Sequence, residues 1–380
     1  MSQSPHRHYH RIAWFAVAFA LCVIVLGAFV RLSNAGLSCP DWPTCYGKAT
    51  WPVHVEDVAK ANEAFPERVV ETHKAPLEQI HRHLAATLGL GVLALALLAA
   101  RRRRHGIAQV LGAAGLVAIA IPLYMQEQYV ASSVLVGLGE AILLAAAWRW
   151  SNTDLARGSV LLLAVIIFQA MLGLWTVTWL LKPAVVMAHL MGGLTTFSLL
   201  TWLAWKATPR AQITLIDAGR LRRLTIVGLV LVAVQIALGG WTSANYAALA
   251  CGTDFPTCLG QWWPETDFGE AFVLWRGIGV DYEGGVLDGP ARATIQLVHR
   301  LFALVVTGHL LVLAIRLLRS PGLRGWGSLL GTLLFVQVGL GIANVVVSLP
   351  LHVAVLHNAG ATALLFVLVS LLARVRAPDA

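Results

Sequence analysis

The chain has 380 residues, of which 58% are hydrophobic and 12% charged, with a formal net charge of +9. A water-soluble domain carries about 25% charged residues, so a soluble fold is excluded. Nucleic acid is excluded as the reason for the positive balance. The basic residues fall in short segments between apolar runs, where they set orientation in a membrane.

Ten apolar runs of membrane-crossing length follow in order. The first, 12–32, is longer than a signal-peptide core and is followed by no small-residue cleavage site. Its lone Cys22 is expected to fill the core. A loop at 33–76 carries Cys39 and Cys45. The second run, 77–100, opens on Glu78, His81 and Arg82 and ends at four arginines, Arg101 to Arg104. Runs at 107–124 and 128–148 form a hairpin. Runs at 158–181 and 184–205 come next, the latter holding His189. The seventh run, 222–244, leads into a second long loop, 245–293, with Cys251 and Cys258. Runs at 294–315, 326–349 and 351–373 complete the chain, the first of them carrying His299 and Arg300 and the last His357.

With ten spans, Arg7, Arg11, Arg101 to Arg104, Arg149, Arg157, the basic residues of 206–223 and 316–324, Arg374 and Arg376 all fall on one side. That side is expected to be cytoplasmic, together with both termini. The two long loops are then outside, where an oxidising compartment makes each cysteine pair a candidate disulfide.

The halves repeat. VLGAFVRLSNAGLSCPDWPTCYG at 25–47 parallels ALGGWTSANYAALACGTDFPTCLG at 237–260. IHRHLAATLG from Ile80 parallels VHRLFALVVTG from Val298. FQAMLG from Phe168 parallels VQVGLG from Val336, and MAHLMGG from Met187 parallels VLHNAGA from Val355. Four ordered matches mark a duplication. His81 and His189 are 108 positions apart and His299 and His357 are 58 apart, a difference of 50 that a hairpin near 105–155 supplies. An even number of extra spans leaves orientation unchanged, so the repeat is parallel. The expected fold is an all-α polytopic membrane protein of two tandem four-helix bundles, 1–206 and 207–380, with the hairpin inserted in the first.

His81, His189, His299 and His357 all lie near the outer ends of their spans. An ionisable side chain in a membrane span is costly and marks a site. Two histidines from facing helices can hold an iron porphyrin, so four at repeated positions point to two haem sites. A simple hydrogen bond to a neighbouring helix is the competing explanation for any one of them. Arg82 and Arg300 each follow the first histidine of a pair. They are placed to meet a haem propionate or to snorkel to lipid phosphate.

The halves differ at one position. Glu78 precedes His81 by three residues, and Gln296 stands in its place before His299. A carboxylate can move protons and a glutamine cannot, which makes the first half the expected reaction centre and the second an electron relay. Cys39 and Cys45, in the half with Glu78, are the candidates for a redox role; Cys251 and Cys258 are expected to be structural.

Taken together, these residues resemble the haem A synthase family. The likeness is carried by Glu78-Gln79-Ile80-His81-Arg82, Ala188-His189-Leu190, Val298-His299-Arg300 and Leu356-His357-Asn358-Ala359-Gly360, in that order. It covers nearly the whole chain apart from the 105–155 hairpin. The two cysteine pairs match a subgroup of the family. The resemblance implies oxidation of a methyl group of haem O to the formyl group of haem A for terminal oxidases. It implies haem O between His81 and His189, haem b between His299 and His357, and Glu78 as the acid needed for turnover. Haem O synthase and terminal oxidase assembly factors are the implied partners, besides membrane lipid; a homo-oligomer is left open. The alternative is a non-catalytic di-haem electron carrier. Family members usually have eight spans, so the hairpin is a departure. The lack of an Arg- and Ser-rich presequence favours a bacterial inner membrane.

Overall fold

The computed structural model describes residues 7–151 and 154–377. Among them are twelve helices: α1 (Arg7–Leu32), α2 (Val55–Ala64), α3 (Ala75–Ala100), α4 (Gly106–Met125), α5 (Tyr129–Arg149), α6 (Ala156–Thr178), α7 (Pro183–Ala207), α8 (Ala218–Ala244), α9 (Phe268–Ala271), α10 (Gly289–Arg319), α11 (Arg324–Val346) and α12 (Leu351–Arg374). Ten are long and apolar enough to cross a membrane, matching the ten expected runs. The other two, α2 and α9, lie in the long loops. Two short strands, β1 (Ile213–Thr214) and β2 (Val375–Arg376), pair in parallel. The protein is an all-α integral membrane protein.

One boundary moves for a clear reason. α10 starts at Gly289, five residues before the apolar run. The Asp288 carboxylate caps it by accepting from the Ala291 N–H at 2.9 Å, and Pro290 occupies the first turn, where a missing N–H costs nothing.

The chain forms two compact units. The first comprises Met1–Val30, Ala35–Val177 and Gly192–Arg210; the second comprises Arg31–Asn34, Thr178–Met191 and Ala211–Ala380. In the second, α8 packs on α10, α10 on α11, α11 on α12 and α12 back on α8, closing a four-helix ring. In the first, α1 is tied to α6 by the Tyr9–Ser159 hydroxyl pair at 2.8 Å. It is tied to the C-terminal end of α7 by the Trp14 indole, which donates to Thr208 Oγ1 at 3.0 Å and meets the Trp205 ring edge-on. The inserted hairpin, α4 and α5, packs on itself and on α3. Gly139 makes that pairing close: a Cβ there would come within 3.1 Å of the Ala113 carbonyl. Arg103 clamps the hairpin's basic end by donating to Asp154 Oδ1 and the Ser151 carbonyl, at 2.7 and 3.1 Å.

Cys22, expected in the core, is exposed on α1. The reason is general to this class: a lipid-facing surface is as apolar as a core, so apolar character alone does not separate the two.

The duplication is visible in the backbone itself. Asn34 and Tyr246, and Tyr46 and Leu259, are left-handed at matching positions, with φ between 51° and 54°. Gly47 and Gly260 follow at φ 74° and 75°. The Trp42-Pro43 and Phe255-Pro256 bonds are both cis. Asp41 accepts from the N–H of Gly47, and Asp254 from that of Gly260, at 2.8 and 2.7 Å. The turn before α7 uses left-handed Leu180 and Leu181; the turn before α12 uses left-handed Ser348 and Leu349.

Candidate functional site

Three of the four candidate histidines, His81, His299 and His357, each lie in a notch on a neighbouring helix. Across from His81 on α3, α1 presents Val23 and Gly27. The His81 ring hydrogen-bonds the Val23 backbone, and a Cβ on Gly27 would meet its Cε1 at 2.7 Å. Across from His357 on α12, α11 presents Gln337 and Gly341. The ring hydrogen-bonds the Gln337 backbone, and a Cβ on Gly341 would meet its Cε1 at 3.1 Å. Across from His299 on α10, α8 presents Gln235 and Gly239. The Gln235 amide donates to the ring at 3.2 Å, and a Cβ on Gly239 would meet its Cε1 at 3.1 Å. At Val23 and Gln337 the physical logic is shared. A helical carbonyl at position i points along the helix toward residue i+4. Glycine at i+4 leaves that carbonyl open to a ring from outside.

His299 and His357 stand in the second unit within electrostatic reach of each other. His81 belongs to the first unit and His189, on α7, to the second. Past the histidine, α7 and α12 are gripped alike: the Gln169 side chain packs on Gly192, and that of Gln337 on Gly360.

The arginines that follow His81 and His299 behave differently. Both terminal nitrogens of Arg82 are engaged. Its Nη1 donates to the carbonyls of Asp41 and Thr44, each at 2.7 Å. Its Nη2 donates to the Cys39 carbonyl at 3.2 Å and to Glu78 Oε1 at 2.5 Å. Arg300 makes one such bond, to the Thr257 carbonyl at 2.9 Å, and keeps Nε and Nη2 buried with no partner.

Glu78 explains the contrast. It is 4% exposed, and its second oxygen accepts from Ser38 Oγ at 3.0 Å and from the Cys39 N–H at 2.9 Å. Glu78 and Arg82 thus form a buried pair wrapped by the backbone of the first cysteine loop. Gln296 is equally buried but carries no charge to engage Arg300, and Ala250 replaces the hydroxyl of Ser38.

Both cysteine pairs form disulfides, Cys39–Cys45 and Cys251–Cys258. Each is fully buried and packs on an alanine near the start of the next long helix, Ala75 of α3 or Ala293 of α10.

The donor set of the second unit fits an iron porphyrin. Two imidazoles stand near each other against glycine notches. His357 Nδ1 is buried without a partner, and Arg300, within electrostatic reach of Asp254, keeps Nε and Nη2 buried without a hydrogen-bond partner. His81 Nδ1 is likewise buried and unpartnered. Among the described residues no cluster of three or more His, Cys, Asp or Glu side chains could hold a bare metal ion.

The COX15-CtaA family, described as cytochrome oxidase assembly proteins, matches residues 10–126 and 123–369. The chain belongs to this family. A heme A synthase from Shewanella oneidensis is 39% identical over 357 residues, covering 93% of each chain. One from Caulobacter vibrioides is 27% identical over 383 residues, covering 96% of this chain and 95% of its own. The two pieces of the family match meet at 123–126, inside the inserted hairpin.

Residues the motifs did not reveal include Ser38, Gln235 and Gln337. A signal for the notches was present: Val23–Gly27, Gln169–Gly173, Gln235–Gly239 and Gln337–Gly341 are four five-residue windows, each ending in Leu-Gly. The open carbonyl at Val23 is main chain and leaves no trace in residue type.

Proposed function

We propose that the chain is a haem A synthase, converting haem O to haem A for terminal oxidase assembly. The observation that carries this is the end-to-end likeness to a heme A synthase at 39% identity. The change from methyl to formyl removes two hydrogens from the carbon and adds one oxygen, so the site must accept protons as well as electrons.

Glu78 is the group suited to the protons, as catalytic acid and base. Its partners fix where it sits: Arg82 on one oxygen, Ser38 and the Cys39 N–H on the other. A carboxylate held this way stays oriented in a water-poor site and favours positive charge developing nearby. In this reading haem O sits with His81 and His189 in the 1–206 half. The support is the repeat, which gives these residues the places of His299 and His357. Cys39–Cys45 then serves as a brace for the proton-handling pair.

The 207–380 half takes haem b through His299 and His357, with the open fork of Arg300 on a propionate. Haem b held there supplies a one-electron relay. The Gln235 amide and Gln337 backbone orient the two rings. In this reading both termini lie in the cytoplasm of a bacterial cell and the cysteine loops outside; the support is the basic residues that flank the spans on one side. Haem O synthase and terminal oxidase assembly factors are the partners this activity requires.

The test is extraction and chromatography of haems from cells expressing the chain with a haem O source. Haem A is the expected product. Its absence, with folded protein present, would refute the assignment.

A further inference from the structure

Lys182 is the residue before α7. It is 1% exposed, yet its Nζ has no hydrogen-bond partner. Among the described residues no carboxylate answers its charge: burial is the influence on it, and holds its pKa below the usual lysine value. Its cover is thin. The Nζ lies 3.3 Å from the centroid of the Trp275 ring and 5.4 Å from that of Trp179. Trp275 is itself 63% exposed, in the irregular stretch between α9 and α10. That stretch is hooked to the turn by the Tyr282 N–H, which donates to the Leu180 carbonyl at 3.1 Å. The turn holds two consecutive left-handed leucines, at φ 49° and 57°, a conformation leucine keeps only where its surroundings impose it.

Indole faces offset part of the hydration an ammonium loses, but they accept no hydrogen bond in the ordinary sense, and three N–H donors remain. The positive end of the α7 dipole lies at the same place. The shared frame does not need this cation, since the matching residue before α12 is Pro350. Lys182 precedes His189 by seven residues, which is two helical turns and about 10 Å outward along the same side of α7.

We propose that Lys182 is the anion subsite for a carboxylate of the porphyrin substrate, with Trp275 as its cover. The inference rests on the reading that His189 helps to hold haem O. Within that reading, Lys182 gives the first half a cation for the propionate, a role Arg82 has surrendered to Glu78 and the cysteine loop.

The test titrates full-length protein, purified with its resident haem, with ferric protohaem and with protohaem dimethyl ester, followed at the Soret band. Wild type is expected to bind a second equivalent of the acid about tenfold more tightly than the ester. Lys182→Met, which keeps an apolar stem beneath the indoles, should weaken the acid alone and erase the difference. Lys182→Arg should restore it. Equal binding of acid and ester by wild type, or a preference that survives in Lys182→Met, overturns the subsite while leaving the haem O reading intact. If wild type binds no second equivalent, both fall together. Unchanged resident haem in the variants shows that they are folded.

Discussion

Gly27 stands so close to His81 that a single added carbon would come within 2.7 Å of the ring. The corresponding clearances at Gly239 against His299 and at Gly341 against His357 are 3.1 Å. Overpacking costs about 1–3 kcal/mol, and backbone-backed sites yield least. Gly27→Ala is therefore expected to displace His81 and reduce haem A formation by tenfold or more. Gly239→Ala and Gly341→Ala should loosen the resident haem more mildly. Haem content per chain and haem A yield, measured on the same preparations, check the ranking.

Glu78→Gln keeps the shape of the side chain but removes the anion that Arg82 faces. The resident haem should remain and haem A formation should fall at least tenfold. Haem chromatography on cells supplied with haem O decides the matter; a normal yield would remove Glu78 from the reaction.

Arg82→Gln and Arg300→Gln should separate cleanly. Arg300 keeps two buried donors free, and a charged hydrogen bond contributes about 1.5–3 kcal/mol. Its loss should weaken retention of the resident haem by tenfold or more. Loss of Arg82 should spare that haem and loosen the first cysteine loop, seen as faster reduction of Cys39–Cys45 by a mild thiol.

The disulfides should differ in the same sense. Cys39→Ser with Cys45→Ser frees the backbone that grips Glu78, and activity should drop. Cys251→Ser with Cys258→Ser should reduce stability with a smaller effect on turnover. Thermal unfolding and haem A yield together distinguish the two outcomes.

Asp154 sets an acid limit on the hairpin. Burial pushes its pKa up, but the hydrogen bond from Arg103, that from the Ala156 N–H and the charges of Arg103 and Arg102 outweigh it. The net value lies below the ordinary 3.8. A depressed carboxylate stabilises the fold above its unfolded value and loses that contribution as pH falls through the folded one. The Arg103 clamp should therefore hold at pH 5 and weaken below about 4. Its worth is about 1 kcal/mol at most, as for other partly exposed pairs. Asp154→Asn should remove that portion of the acid limb in thermal melts.

Much of this was legible in residue order. Ten spans follow from hydropathy because each helix must satisfy its own backbone in lipid. The duplicated histidines, the cysteine loops and the Glu78–Gln296 difference are side-chain facts and show in a single sequence. The Val23 carbonyl opposite His81 is main chain, so no residue type announces it. Lys182 reads as an ordinary turn lysine; its burial depends on Trp275, 93 positions later in the sequence. Cys22 reads as interior because lipid and core select the same side chains.

The matched left-handed turns carry a further consequence. Leu180-Leu181 and Ser348-Leu349 share a left-handed geometry, as do the two cystine loops, which also keep their Pro-Thr-Cys. The two copies keep one backbone contour while differing at Glu78 and Gln296. A scaffold present twice lets one copy acquire an acid while its twin keeps an inert amide. The same architecture thus serves two different electrostatic environments without any change of backbone.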